Sequence, residues 1–429
     1  MAILIKNGNV IDPGNLNGSF DIIISDDKII KILKAGESIP DGIKIDKTID
    51  ASGKTITPGL IDMHVHLREP GHEYKETIKS GCKAAAAGGF TAVCSMPNTN
   101  PFNDNRQVTE FIIKRAEEAG YARVYPAAAI SFGLKGESLC EYGDLKRAGA
   151  VAVTDDGRPV ENGQVMRRAL EYAKGFDLLV MSHCEDLPLT AGGCMNEGEV
   201  STRMGLSGIP NIAESIMVMR DAGLCELTGG KLHIAHVSTE ESVEAIRQAK
   251  SRGANITAET APHYFILTDD AVKGYDTHAK MNPPLRTAKD RNAIRRGLAD
   301  GTLDAIATDH APHSPLEKNV EFNFADNGIV GLETSLSLSL SLVHDGLIDM
   351  ETLITRMSTT PAKILGVENG ILEGKTADLT IIDTEAAVEV DAKRFYSKSK
   401  NTPFNGMKLK GKAVYTIVGG NIVFDDNLK

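Results

Sequence analysis

The sequence predicts an α/β protein: a (β/α)8 TIM barrel with a small β-sandwich domain formed by both chain ends. Three observations predict it. Eight apolar, strand-like runs alternate with helix-like stretches through the middle of the chain. Nearly every one of those runs ends in His, Asp or Asn, and both termini read as β-branched runs broken by turns. Continuously apolar strands separated by amphipathic segments indicate a parallel sheet covered by helices, and eight such units indicate closure into a barrel. An open doubly wound sheet is the alternative architecture.

In chain order, residues 2–11 (AILIKNGNVI) and 21–33 (DIIISDDKIIKIL) carry Asn-Gly and Asp-Asp turns, and residues 378–390 and 413–424 (AVYTIVGGNIVF) repeat that style. Two-stranded ribbons are marginal alone, so both ends are expected to pair into one composite β domain, residues 1–55 plus 371–429. A barrel of residues 56–370 is expected between them. Its strands are expected within TPGLIDMHVH (57–66), FTAVCSMPN (90–98), VYPAAAIS (124–131) and GAVAVTDD (149–156). The other four are LLVMSHCE (178–185), KLHIAHVS (231–238), NITAETAPHY (255–264) and LDAIATDHAPH (303–313). Segments 106–119 and 240–251 read as covering helices.

At 429 residues, with 41% hydrophobic and 24% charged residues, the chain has the balance of a soluble globular protein. The excess of 58 acidic over 47 basic residues, a net charge of −11, argues against a nucleic-acid partner. The start, Met1-Ala2-Ile3-Leu4-Ile5-Lys6, has no cationic n-region, and no apolar run approaches the roughly 20 residues of a membrane span. A cytoplasmic location without a membrane partner is expected. The six cysteines, Cys82, Cys94, Cys140, Cys184, Cys194 and Cys225, form no C-x-x-C pair and read as buried free thiols.

In a (β/α)8 barrel the C-terminal strand ends converge on one face, where the active site is assembled. His64-Val65-His66 ends the first run, and residues two apart on a strand point the same way, so both imidazoles can reach one cation. Asp155-Asp156 ends the fourth run, His183 the fifth, His236 the sixth and Asp309 the eighth. Nitrogen and carboxylate ligands without thiolates suit Zn²⁺ or a similar divalent ion. Six candidates exceed what one catalytic zinc uses, which points to two cations bridged by a carboxylate. Alternation places only one of Asp155 and Asp156 inward and leaves open which. Arg68 shares the parity of His66 and offers a guanidinium for a carboxylate; Asn98 stands in the turn Pro97-Asn98-Thr99. His233, three residues from His236, reads as structural; His278 and His344 as surface; His72 as a solvent-exposed loop residue; His263 and His310 as supports for the ligands. Lys135 reads as a solvated loop lysine. The Gly-containing segments 192–208 and 314–328 are expected to cover the pocket.

The motifs PGLIDMHVHLREPGHEYKETI (58–78), SMPNT (95–99), DDG (155–157), SHCED (182–186), MNEG (195–198), AHVST (235–239), ETAPHY (259–264), NPPLR (282–286), TDHAPH (308–313) and GIVGLET (328–334) occur in this order. With them the chain resembles the class I dihydroorotases of the amidohydrolase superfamily from about residue 1 to 425. The resemblance implies a cyclic amidohydrolase holding two Zn²⁺ per chain. Such an enzyme reversibly converts N-carbamoyl-L-aspartate to L-dihydroorotate plus water in de novo pyrimidine biosynthesis.

Carried onto this chain, His64 and His66 match the ligands of the first metal and His183 and His236 those of the second. Asp156 matches the bridging carboxylate, and Asp309 an aspartate that ligates metal and shuttles the proton. Many amidohydrolases bridge with a carboxylated lysine, whereas this chain reads Thr154-Asp155-Asp156-Gly157. Arg68, Asn98 and His313, beside His66, match the substrate-binding pocket for the ring carboxylate; Asn282 and the Asn327-Gly328 backbone match contacts to the ring amides. The segment Ala325-Asp326-Asn327-Gly328 departs from the family's Pro-Phe-Gly-like pattern, which weakens the case for Asn327 more than for a backbone contact at Gly328. The implied partner is a small-molecule substrate, with homo-oligomer formation and association with aspartate carbamoyltransferase left open. Competing readings are a hydantoinase or allantoinase, whose motifs usually lack an arginine at position 68, and a non-catalytic dihydroorotase-like subunit of a transcarbamoylase complex.

Overall fold

Short apolar runs form the centre of the structure, a computed structural model that describes residues 2–428. The central sheet has eight strands, joined in parallel in chain order: β1 Leu60–Val65, β2 Phe90–Ser95, β3 Arg123–Ala128, β4 Ala152–Val153, β5 Leu179–Ser182, β6 Leu232–Ile234, β7 Ile256–Thr260 and β8 Ala305–Ile306. Val65 bridges His310 in parallel and the His66 N–H donates to the His310 carbonyl at 2.9 Å, so the chain leaving β8 returns to β1 and closes the barrel. Each of the eight expected runs overlaps a barrel strand, the third strand starting one residue ahead of its run at Arg123, but the strands are shorter than the runs. In 149–156 only Ala152–Val153 stays in the ladder, because the following polar residues leave it at the barrel mouth. The run 57–66 is divided: Thr55–Pro58 joins the terminal sheet and Leu60–Val65 the barrel. Gly59 makes the division possible, since a Cβ there would lie 1.9 Å from Thr91 Oγ1.

Small side chains, among them Ala92, Cys94, Ala127, Ala152 and Ala305, pack with Met63 and Met181 in one core layer. A second layer packs Phe90, Val93, Val180, Ile234 and Ile256 against helix residues such as Ile112, Leu170, Val218, Ile246 and Leu298. Helix Arg106–Ala119 spans the expected range; Val108, Ile112 and Ala116 are its buried stripe, Asn105 caps its start and Gly120, at φ 70°, its end. Helix Glu240–Ser251 likewise buries Val243, Ile246 and Ala249 and is capped by Thr239.

Strands Ala2–Asp12, Leu16–Ser25, Lys28–Lys34, Lys47–Asp50 and Thr55–Pro58 form one continuous eight-stranded sheet with Leu379–Glu389, Lys408–Val418 and Asn421–Asp425. The two ends meet where Thr55–Pro58 pairs antiparallel with residues 379–382 of the first C-terminal strand, Leu379 opposite Pro58 and Ile382 opposite Thr55. Its apolar side closes on Ile3, Ile5, Ile22, Ile24, Leu379 and Ile381. The run 21–33 splits at Asp26, whose φ of 54° starts the turn. Among the described residues no helix is long and apolar enough to cross a membrane. All six cysteines are buried and free.

Candidate active site

β1 carries a register irregularity between Asp62 and Val65, where the chain delivers His64 and His66 to the barrel mouth. His64 Nε2 lies 3.3 Å from Asp156 Oδ1 and 3.6 Å from Asp309 Oδ1. His66 Nε2 lies 3.0 Å from Asp309 Oδ1 and 3.4 Å from Asp156 Oδ2. From the ends of β5 and β6, His183 Nδ1 and His236 Nε2 approach each other to 2.8 Å and stand 3.6 and 3.5 Å from Asp156 Oδ1. Two groups with ligand atoms mutually within 4.8 Å result, His64–His66–Asp156 and Asp156–His183–His236, and Asp156 belongs to both.

Asp155 turns away and accepts the Ser131 N–H at 3.0 Å and the Ser131 hydroxyl; burial pushes its carboxyl up to about 6. The alternation left open by the sequence thus puts Asp156, not Asp155, in the cluster. His64 Nε2 and Asp156 Oδ1 are buried without a hydrogen-bond partner. Such orphaned atoms, an imidazole nitrogen and a carboxylate oxygen facing each other, fit a divalent cation between them. Burial raises the Asp156 carboxyl, but His64, His183 and His236 outweigh it and hold the group well below the usual carboxylate range. Asp309 is lowered in the same way by His64 and His66 against the effect of burial.

Three of the four imidazoles are anchored from behind, so a single nitrogen of each is aimed at the cluster. His64 Nδ1 lies 2.8 Å from Glu259 Oε1, His66 Nδ1 2.9 Å from Asn98 Oδ1, and His183 Nε2 2.9 Å from Glu185 Oε2. Glu259 also stands 3.3 Å from His233 Nε2, and His233 Nδ1 lies 2.8 Å from Thr257 Oγ1, which ties His233 into the layer beneath the cluster.

A cavity of about 280 Å³ is lined by His66, Asp156, His183, His236 and Asp309, with Arg68, Asn98, Asn282, His313 and Asn327 on its other walls. Arg68 Nε donates to the Pro312 carbonyl at 3.1 Å, and a terminal guanidinium nitrogen lies 3.2 Å from His313 Nε2. His313 Nδ1 faces Asp326 Oδ2 at 3.1 Å and Lys75 Nζ at 3.2 Å; burial lowers this imidazole to about 4. Asn282 Nδ2 donates to Glu185 Oε2 at 3.1 Å. Arg68, His236 and Asp309 hold left-handed backbone, with φ of 62°, 37° and 46°, a conformation that non-glycine residues adopt at a cost and that clusters at functional sites.

Gly328 lies at the edge. Its N–H donates to the Lys280 carbonyl at 3.0 Å and its carbonyl accepts from Asn401 Nδ2 at 3.0 Å, so its backbone N–H is engaged within the protein and Asn327 is the one of the pair that reaches the cavity. At φ 151° it must be glycine, since a Cβ would lie 2.6 Å from the Ala311 carbonyl. His263 is buried 4.2 Å, ring to ring, from Tyr264. His310 Nδ1 accepts the Gly331 N–H at 3.1 Å. His72 and His278 are half-buried, while His344 and Lys135 are exposed. Segment 314–328 reaches the cavity through Asp326 and Asn327. Segment 192–208 packs behind it, with Cys194 Sγ 3.3 Å from Asn323 Oδ1.

Several groups that shape the site escaped the sequence reading. Glu259 and Glu185 had a signal: each lies in a strand-end motif, and Glu185 is two residues from His183. Lys75 stands inside the motif 58–78 and Asp326 in the segment 325–328, but nothing in either stretch marks a contact with His313; Asn401 had no signal, because it arrives through a loop. Asn401 accepts the His313 N–H at 3.0 Å and donates to the Ala311 carbonyl at 2.9 Å.

Residues 53–242 match a family model described as dihydro-orotase-like, and residues 220–424 match an amidohydrolase family model. Dihydroorotase of Desulforapulum autotrophicum is 59% identical over 99% of both chains, and that of Syntrophotalea carbinolica 57% identical, also over 99% of both. Among solved structures, L-hydantoinase (dihydropyrimidinase) from Arthrobacter aurescens superposes with a TM-score of 0.88 at 26% identity, covering 99% of this chain and 96% of that one. D-hydantoinase from a Thermus species does so with a TM-score of 0.81 at 25% identity, covering 99% and 95%.

Proposed function

The chain belongs to the dihydroorotase family, and on that premise we propose that it is a zinc-dependent cyclic amidohydrolase interconverting N-carbamoyl-L-aspartate and L-dihydroorotate in pyrimidine biosynthesis. One observation carries the reading: a cationic carboxylate receptor, Arg68 beside His313, faces a four-histidine, two-aspartate cluster across one cavity. A cyclic amide bearing a ring carboxylate needs both. His64, His66, His183, His236, Asp156 and Asp309 would hold two Zn²⁺. Bound there, the cations supply Lewis acidity toward the amide carbonyl and acidify the attacking water.

The remaining chemistry falls to side chains. Asp309, 3.0 Å from His66 Nε2, takes the proton of the attacking water and passes it to the leaving ring nitrogen; cyclisation reverses the transfer. Arg68, Asn98 and His313 bind the ring carboxylate, the guanidinium by paired N–H donors. The amides of Asn282 and Asn327 hold the ring. Asn98 has two tasks, because its Oδ1 fixes His66 while its Nδ2 donates to the Asp156 carbonyl at 3.4 Å.

The likeness to hydantoinase structures supports a second reading, hydrolysis of an uncarboxylated cyclic amide. Arg68 separates the two. Turnover of dihydroorotate and N-carbamoyl-L-aspartate by the metal-loaded protein, compared with hydantoin and allantoin, tests the choice. Preference for the carboxylated pair is expected, and faster turnover of hydantoin would overturn it.

A further inference from the structure

Two lysines behind the cavity wall are buried: Lys280 is 5% exposed and Lys318 1%. Among the described residues neither ammonium has a carboxylate within ion-pair distance, so the charge must be met by hydrogen bonds. Lys280 Nζ donates to the carbonyls of Phe322, Asn323 and Ala325 at 2.8, 3.0 and 2.7 Å. Three acceptors match the three N–H groups of an ammonium. Lys318 Nζ donates to the carbonyls of Asp326 at 2.7 Å and Lys280 at 3.3 Å; burial lowers this group to about 7, and two acceptors also suit an uncharged amine.

All of these carbonyls except that of Lys280 belong to one short segment, 322–326, which leads into Asn327. Lys280 itself precedes Met281 and Asn282 on the neighbouring wall. The joint carries further bonds: Gly328 N–H to the Lys280 carbonyl at 3.0 Å and Thr277 Oγ1 to the Lys318 carbonyl at 2.6 Å. For stability alone, apolar side chains would fill this volume with less desolvation cost. What a buried ammonium adds is a set of donors radiating from one point, which dictates where several carbonyls of an irregular segment must lie.

We infer that Lys280 and Lys318 are positioning residues for substrate binding: their side-chain nitrogens fix the Asn327 wall relative to the Asn282 wall and hold Asp326 against His313. The inference rests on the proposed use of the cavity, since it gives Asn282, Asn327 and His313 their contacts with the substrate. Neither lysine touches the cavity, so both act on affinity through the loop.

The test uses full-length, zinc-loaded Lys280→Met and Lys318→Met variants, with dihydroorotate kinetics, thermal melting and hydrogen exchange of residues 319–328. KM is expected to rise about tenfold or more while kcat stays within about threefold, the signature of lost binding rather than lost chemistry. Faster exchange should be confined to 319–328 and the facing 277–284. Wild-type KM with unchanged exchange overturns the inference, and so does a general fall in melting temperature with KM unmoved. If Lys280→Met does not fold, Lys280→Gln, which keeps a donor, and Lys318→Met carry the same readouts. Should the wild-type protein prefer hydantoin, the proposed function fails, and exchange together with KM for hydantoin still decides for or against the two lysines.

Discussion

The two walls of the cavity are built on different principles. The wall proposed to hold metal draws His64, His66, Asp156, His183 and His236 from the ends of parallel strands, and the His64 ring is held by a group on another barrel strand, Glu259. The carboxylate-facing wall draws Arg68, Asn98, His313 and Asn327 from loops, and is held by distant groups: Asn401 on His313, Lys75 and Asp326 on the same ring, Lys280 behind the loop. Strand register makes a rigid frame for chemistry, whereas a loop wall can be tuned for a substrate without disturbing that frame. Changes on the first wall should therefore appear in kcat and metal content, and changes on the second in KM.

The largest effect expected is that of Asp309→Asn. The acid–base role proposed for it predicts a fall in kcat of about two to four orders of magnitude, with the fold retained by circular dichroism; near-normal turnover would remove the role. Glu259→Gln tests whether the metal wall depends on the layer beneath it. Weakening the anchor of His64 should lower zinc affinity or activity by about ten- to a hundredfold, as outer partners of metal histidines generally do, and unchanged zinc titration would show that the ring needs no such support. Across the cavity, Arg68→Met should raise KM for dihydroorotate about ten- to a hundredfold, from the roughly 1.5–3 kcal/mol of hydrogen bonds to a charged group. A matching loss of kcat with KM unaltered would blur the division between the walls.

The smallest effect is expected for Asn401→Ala. It strips a partner from the His313 N–H and from the Ala311 and Gly328 carbonyls, which should cost about 1–3 kcal/mol of stability. Thermal or denaturant unfolding measures that loss, and a severalfold higher KM with kcat preserved would assign Asn401 to the second wall.

The same division explains what could be read from the sequence. Period-two alternation puts His64 and His66 on one side of a strand, and alternation of apolar runs with amphipathic stretches gives the barrel, so the strand-borne groups are legible. Alternation could not choose between Asp155 and Asp156, because the choice depends on Ser131, 24 residues away, which takes Asp155. The division at Gly59 was hidden for a similar reason: one unbroken apolar run serves two sheets, and only the close approach of Thr91 parts them. Asn401 lies 88 residues from His313 in the chain, inside no strand or helix, and nothing local marks it. Lys280 and Lys318 carry a residue type that ordinarily reads as solvated surface, and their burial depends on loops packed from both sides.

Asp156 belongs to both histidine groups and is the residue proposed to join them into one two-cation centre. Zinc content per chain, measured together with dihydroorotate turnover for the wild-type protein and Asp156→Ala, tests it most directly. Two zinc ions per chain and full turnover in the wild type, falling to one or none with turnover lost in the variant, is the expected result. A variant that still binds two ions and turns over normally would contradict it.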